Sequence, residues 1–396
     1  MFGKGIKLFD LFGFTVRLDF SWLIIGLLIT WSLAEWYFPQ RYDDLPTRAY
    51  WLLGVAGAVG LFISIVWHEL CHSLVARQFG LPMGGITLFI FGGVAEMSRE
   101  PPNPKAEFLM ALAGPVSSVV LGVVFLAVTV LSRIAGLPDP LTGAFAYLGM
   151  INLVLAAFNL FPGFPLDGGR LLRAALWQWK DNIRWATRVA ARIGSGFGIV
   201  LIVLGVLQFI QGVVIGGVWY CLIGLFLRNA AKGAYQQLLL REALGGEKVE
   251  HFMTENPVTV DPNLTLEELV ENYIYRYHHK MFPVIENDRL LGCITTERVK
   301  EVPRTEWDRH TVEEYVMAPS ESTTIAPNAD AMNALSRMNR SKASRLLVVD
   351  DGTLRGIITL KDLLDFFGLK VELEEEDDGA NDMLNAPGVG ASSEKQ

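Results

Sequence analysis

The chain has 396 residues, 51% of them hydrophobic, with a mean hydropathy of +0.32, and it is too apolar over too many long runs for a soluble protein. Its formal net charge of -8 is concentrated between Glu372 and Gln396, where eight acidic residues meet one lysine; the remainder is nearly neutral, and nothing in it points to nucleic acid. Three scattered cysteines, Cys71, Cys221 and Cys293, imply no disulfide framework.

Residues 1 to 20 mix Lys4, Lys7 and Arg17 with Phe2, Ile6, Leu8, Phe9, Leu11 and Phe12. That pattern suits a segment at a membrane surface followed by a short strand near Thr15 to Phe20, with an ordinary loop as the alternative. Apolar spans follow at about 21 to 38, 50 to 77, 106 to 133, 143 to 163, 194 to 211 and 213 to 231, each near the length a bilayer core requires. The first lacks a small-residue cleavage site and reads as a retained span, not a signal peptide. Loops 1 to 20, 77 to 105, 164 to 192 and 228 to 241 carry fifteen Lys and Arg, whereas 38 to 50 and 133 to 142 carry three. By the positive-inside rule the first set is cytoplasmic, so the expectation is a multi-pass protein of the cell membrane with both termini inside.

Within the second span lies His68-Glu69-Leu70-Cys71-His72. Four residues apart on a helix, the two imidazoles share one face and can hold one metal. Glu69, on the flank of that face, is placed to take a proton from a water on the metal. The bland alternative is two histidines falling there by accident. At 1.5 Å per residue, His72 lies about 8 Å and His68 about 14 Å below the cytoplasmic end near Arg77, a depth at which polar groups are expensive unless functional.

Between the second and third spans, Gly84-Gly85, the run Ile86 to Phe91, Gly92-Gly93 and then Val94-Ala95-Glu96-Met97 read as a hairpin, or alternatively as a plain loop. The fourth span carries Asn152 and Asn159 on one face and runs into Asn159-Leu160-Phe161-Pro162-Gly163-Phe164-Pro165-Leu166-Asp167-Gly168-Gly169-Arg170. Its prolines and glycines break the helix, which a membrane tolerates only where a protein-lined or watery cavity satisfies the backbone. Asp167 needs a partner there. The metal is one, with Asp167 as third protein ligand and a fourth position left for water; capping the next helix or pairing with Arg170 is the other.

The motif at 68 to 72, the Phe91-Gly92-Gly93-Val94-Ala95 segment, Ala113-Gly114-Pro115 and the Asn159 to Arg170 stretch together resemble the site-2 protease family of intramembrane zinc metalloproteases, over roughly residues 15 to 230. The resemblance implies hydrolysis of a peptide bond within or beside a substrate's transmembrane helix, one Zn2+ per chain on His68, His72 and Asp167, general acid/base work by Glu69 and polar help from Asn159. It also implies that the segment from Gly85 to Val94 receives the substrate as an extended strand. Ser118 departs from the pattern, since many relatives have Asn a few residues after Gly-Pro, and this weakens any role for that position.

From Val249 to Leu369 the chain repeats itself at an offset of 64: Met253 and Met317, Pro283-Val284 and Leu347-Val348, Gly292 and Gly356, Ile294-Thr295 and Ile358-Thr359. Two copies, about 249 to 305 and 312 to 369, each reading as strand, helix, two strands and helix, resemble a pair of CBS domains. That resemblance implies adenine nucleotide binding (ATP, ADP or AMP), with Thr359 and Asp362 in the second copy matching ribose-binding positions, whereas Arg298 replaces the acid after Thr295 in the first. Helix capping alone also explains Asp362, and a structural or homodimerising module is the competing reading. The expectation is thus a polytopic α-helical membrane protein with about six transmembrane helices (1 to 235), an α/β CBS pair (246 to 370) and an acidic disordered tail (371 to 396). A CBS-regulated metal-ion channel or transporter, and a zinc-retaining scaffold without activity, are the readings it competes with.

Overall fold

The computed structural model describes residues 5–81, 83–90, 92–97, 100–287 and 289–384. They divide into two units at Leu238/Leu239. In the first, six helices are long and apolar enough to cross a membrane. These are α1 (Phe20–Ser32, continued by a π turn at Leu33–Tyr37), α2 (Thr47–Gln78), α3 (Pro104–Ile134), α4 (Asp139–Asn159), α6 (Ile183–Ile210) and α7 (Val214–Leu244); a shorter helix, α5 (Asp167–Lys180), stands between α4 and α6. Apolar side chains such as Leu27, Leu52, Ile134 and Ile215 point outward, as a lipid-facing surface demands. The fold is that of a multi-pass membrane protein, as the apolar runs predict.

Small residues let the helices approach. A Cβ on Gly122 would stand 3.2 Å from Gly149 O, and one on Gly149 equally close to Gly122 O, so α3 and α4 cross backbone to backbone. α3 is the central member, packed against α2, α4 and α5.

A four-stranded sheet, ordered β1-β2-β3-β4, accompanies the helices: β1 (Ile6–Leu11), β2 (Phe14–Leu18), β3 (Met83–Phe89) and β4 (Gly92–Met97). The hairpin expected after the second span is present, with Leu88 opposite Gly93. The short strand expected near Thr15 to Phe20 is present as β2, and Ile6–Leu11 pairs with it to form a second hairpin that the sequence did not announce, because Phe12 and Gly13, both at positive φ, make the tight reversal. Phe14, Val16, Leu18, Ile86 and Leu88 then bury one face against Val66 and Leu70 of α2. Phe91, part of the segment that carries the family resemblance, lies outside the described residues.

In the second unit the repeat is visible as structure. Strands β6 (Met281–Glu286) and β7 (Arg289–Thr295) recur 64 residues later as β9 (Arg345–Asp350) and β10 (Thr353–Thr359), with Val284 opposite Gly292 and Val348 opposite Gly356. β5 (Thr254–Glu255) and β8 (Thr324–Ile325) flank the second hairpin. Each copy has its own apolar core, one around Phe282 and Ile294, the other around Leu346 and Ile358. The last helix spans Leu360–Leu384 and so continues past Val371, where the acidic composition had suggested disorder. Glu and Leu are good helix formers and extend what Leu363 anchors in the core. The final twelve residues lie outside the described ones.

Candidate metal centre

α2 carries His68 and His72 on its buried face. Their Nε2 atoms are 3.1 Å apart. Asp167, the first residue of α5, brings Oδ2 to 3.0 Å from His68 Nε2 and 3.1 Å from His72 Nε2. Among the described residues this is the one group of three or more His, Cys, Asp or Glu arranged to hold a metal ion. Of the alternative partner, Arg170, Nε stands 3.9 Å from Glu107 Oε1.

The chain's break between α4 and α5 delivers Asp167. Phe164 N donates to Ala190 O of α6, and Leu166 N to Gly163 O, so the freed backbone groups are satisfied by protein. The turn folds so closely on α5 that a Cβ at Gly168 would overlap Leu160 O and one at Gly169 would overlap the Gly163 carbonyl carbon. Only Asp-Gly-Gly lets the carboxylate start the helix at this point.

α3 supports both imidazoles from the far side. His72 Nδ1 donates to Met110 O at 2.6 Å, and His68 Nδ1 meets Ser118 Oγ at 2.9 Å. These two partners lie one turn before and one turn after Gly114, whose missing side chain makes room: a Cβ there would overlap Nε2 of both histidines. Ser118 therefore touches the site, at the position whose departure from Asn weakened the expectation of a role. A hydroxyl reaches Nδ1 where the helices approach this closely.

The donor set fits a divalent cation. A backbone carbonyl only accepts, so neutral His72 carries its proton on Nδ1 and turns the Nε2 lone pair inward, toward a carboxylate oxygen and a second imidazole nitrogen. With His68 in the same tautomer, its Nδ1–H donating to Ser118 Oγ, three lone pairs converge, and a cation among them would relieve their repulsion. Separations of 3.0–3.1 Å are close to the roughly 3.3 Å between ligands at zinc-like distances in a tetrahedral site.

Glu69 and His68 open onto a cavity of about 460 Å³, otherwise lined mainly by apolar side chains including Trp22, Phe89 and Phe226. Gly93 of β4 lies against Glu69, since a Cβ there would come 2.5 Å from Glu69 Cγ. Asn159 lines the same cavity, but its Nδ2 donates to Leu155 O of its own helix at 3.0 Å. Asn152 is not with it; it is buried and donates to Ser64 Oγ and Leu148 O.

In the second unit, Thr359 and Asp362 bond each other reciprocally: Thr359 N to Asp362 Oδ2 at 2.9 Å and Asp362 N to Thr359 Oγ1 at 3.2 Å. That is a helix capping box. Thr359 also lines a cavity of about 530 Å³ together with His279, Ser344, Arg345, Lys361 and Asp365, whereas Asp362 does not.

With this geometry in place, comparison with known proteins is informative. The family model described as Peptidase family M50 matches residues 56–145 and 139–205, and the CBS domain model matches 249–304 and 312–368. The chain is 36% identical over 360 residues to a Synechocystis protein named "Putative zinc metalloprotease sll0528", covering 90% of this chain and 93% of that one. It is 30% identical to "Zinc metalloprotease MJ0392" of Methanocaldococcus jannaschii, over 94% and 98% of the two chains. Among solved structures, the site-2 protease of M. jannaschii aligns with a TM-score of 0.41 at 29% identity, over 58% of this chain and 95% of that one.

Proposed function

This chain belongs to peptidase family M50, the site-2 zinc metalloproteases, and from that premise we propose that it hydrolyses peptide bonds within or beside transmembrane segments of membrane-protein substrates, under control of its CBS pair. The enzyme works in the cell membrane with both termini and the CBS pair on the cytoplasmic side, the orientation that the Lys and Arg bias favours. The observation that carries the reading is the meeting of His68 Nε2, His72 Nε2 and Asp167 Oδ2 beside an apolar cavity onto which Glu69 opens.

His68, His72 and Asp167 would hold one zinc per chain; when bound, zinc makes a water acidic near neutral pH and polarises a carbonyl. Glu69 takes the proton of the attacking water and passes it to the departing amine. Among the described residues it is the one carboxylate lining that cavity. Asn159, turned away from Leu155 O, donates its amide to the carbonyl oxygen as negative charge develops. A helical substrate keeps its carbonyls bonded internally and must be extended before attack. The outer edge of β4, which passes Glu69 at Gly93, suits a strand laid against it.

The second unit would bind one adenine nucleotide, ATP, ADP or AMP. Support comes from the cavity at Thr359, where Arg345 and Lys361 offer positive charge to phosphate. Regulation requires the nucleotide to bind one arrangement of the enzyme more tightly than another.

The test is co-expression of wild type and Glu69→Gln with a panel of single-span membrane proteins. A shortened product with wild type alone is expected. A product formed equally by both would sink the proposed mechanism.

A further inference from the structure

Beside the metal centre lie two buried charges that none of these steps uses. Glu107, in the first turn of α3, is wholly buried, and Arg173 of α5 is 5% exposed. Arg173 Nε donates to Glu107 Oε1 at 2.6 Å, and its Nη2 reaches both that oxygen and Glu100 Oε2, the latter at 3.2 Å. The guanidinium also stacks 5.2 Å from the ring centre of Phe164, in the break between α4 and α5. One side chain thus ties together α5, α3, the chain after β4 and the turn that delivers Asp167.

Stability alone is a poor explanation for this arrangement. Burying an ion pair costs desolvation that its attraction often fails to recover, and the best-attested use of such pairs is to fix register. Here the cost is higher still, because Glu107 Oε2 meets no hydrogen-bond partner among the described residues. The register in question is that of the site. Glu107 lies three residues before Met110, whose carbonyl holds His72, and Arg173 lies six residues, about 9 Å along the axis, after Asp167.

We infer that Arg173 is a positioning residue for Asp167: its bond to Glu107 and its stacking on Phe164 fix α5 against α3 so that Oδ2 meets both imidazoles. The inference rests on the reading of His68, His72 and Asp167 as the metal ligands. It needs the guanidinium fork, because a lysine ammonium cannot bridge two carboxylates and stack on a ring with the same geometry.

The experiment is zinc affinity of the purified full-length protein by chelator competition, together with thermal melting. The variants are Arg173→Lys and the apolar replacement Glu107→Leu/Arg173→Met, with His68→Ala as a ligand control. Replacing a buried pair by apolar residues tends to leave folding intact, so the double variant should melt near wild type while its zinc Kd weakens at least tenfold, the effect expected of outer-shell groups. Arg173→Lys should fall between the two, and it decides alone if the double variant does not fold. Folded variants with zinc Kd within twofold of wild type would overturn the inference. A different result, His68→Ala binding zinc as well as wild type, would instead remove the ligand reading beneath it.

Discussion

Ser118 Oγ lies 2.9 Å from His68 Nδ1, one helical turn beyond Gly114, while Met110 O holds His72 Nδ1 one turn before it. α3 thereby orients both imidazoles, and the Ser118 contact is the half that mutation can reach. Ser118→Ala should weaken zinc binding about 10-fold to 100-fold without unfolding the protein, as removal of partners behind metal-bound histidines does. Ser118→Asn should restore most of it, because an amide can also serve Nδ1. Chelator competition measures both, and an unchanged Kd for Ser118→Ala would show that α2 alone fixes the ring.

Gly114→Ala is the severer change. Its Cβ would overlap Nε2 of both histidines, so α3 must retreat or the imidazoles must turn. We expect loss of bound zinc with retained helix content, checked by metal analysis and circular dichroism. A full zinc complement in this variant would mean that α2 and α3 separate freely.

Side chains with different roles should separate by readout. Glu69→Gln keeps the shape and removes the base, so cleavage should vanish while zinc stays. Asp167→Ala should lose both. Asn159→Ala should lose activity and keep zinc, since Asn159 lines the cavity without touching the histidines. Zinc lost from Asn159→Ala but kept in Asp167→Ala would exchange their assignments.

What the sequence made legible was local. His-x-x-x-His on an apolar helix needs only the helical period to bring two nitrogens together. The Pro and Gly break before Asp167 announced a polar pocket, because a membrane leaves a broken helix few other choices. Asp167 had two candidate partners in the sequence, a metal and Arg170, and only tertiary packing brings its Oδ2 to both imidazoles. Ser118, Met110 O and the Glu107 to Arg173 bond join residues 38 to 66 positions apart. No period or spacing encodes them, although Met110 and Ser118 at four residues on either side of Gly114 form a pattern that a search around the Ala-Gly-Pro motif could test. The N-terminal hairpin was obscured by Lys7, Arg17 and the exposed Phe9 and Phe12, which read as a membrane surface.

Burial makes Cys293 an inert thiol. Packed in the CBS pair at 1% exposure, it has its pKa raised by desolvation to about 11. At pH 8 only about one molecule in a thousand carries the thiolate that reacts. Iodoacetamide should therefore leave Cys293 unmodified in the native protein and label it after unfolding, as peptide mass spectrometry would reveal. The sign of the linkage follows: an unfolded chain loses this proton first, so the contribution is present below about pH 8.5 and is lost as pH rises toward 11. Cys293→Ala should reduce that alkaline decline, and rapid native labelling would contradict the burial.

The CBS pair yields the last prediction, in which Thr359 and Asp362 part company. Asp362 is already engaged with Thr359 in a capping box and is absent from the cavity wall, whereas Arg345 and Lys361 line it, beside Asp365, with positive charge suited to phosphate. Calorimetry of the full-length protein with ATP, ADP and AMP should find binding that Arg345→Ala and Lys361→Ala weaken several-fold. Asp362→Ala should chiefly cost the helix starting at Leu360 about 1 kcal/mol through loss of the hydrogen bond from Thr359 N, while Thr359 remains the N-cap. Its effect on nucleotide affinity should be smaller than that of Arg345→Ala. Weakening confined to Asp362→Ala would restore the acid to a ribose-binding role and place the phosphates elsewhere. Should none of the three nucleotides bind, the pair is reduced to a structural or dimerising module, and nucleotide binding that leaves the cleavage rate unchanged would keep the ligand while removing the regulation.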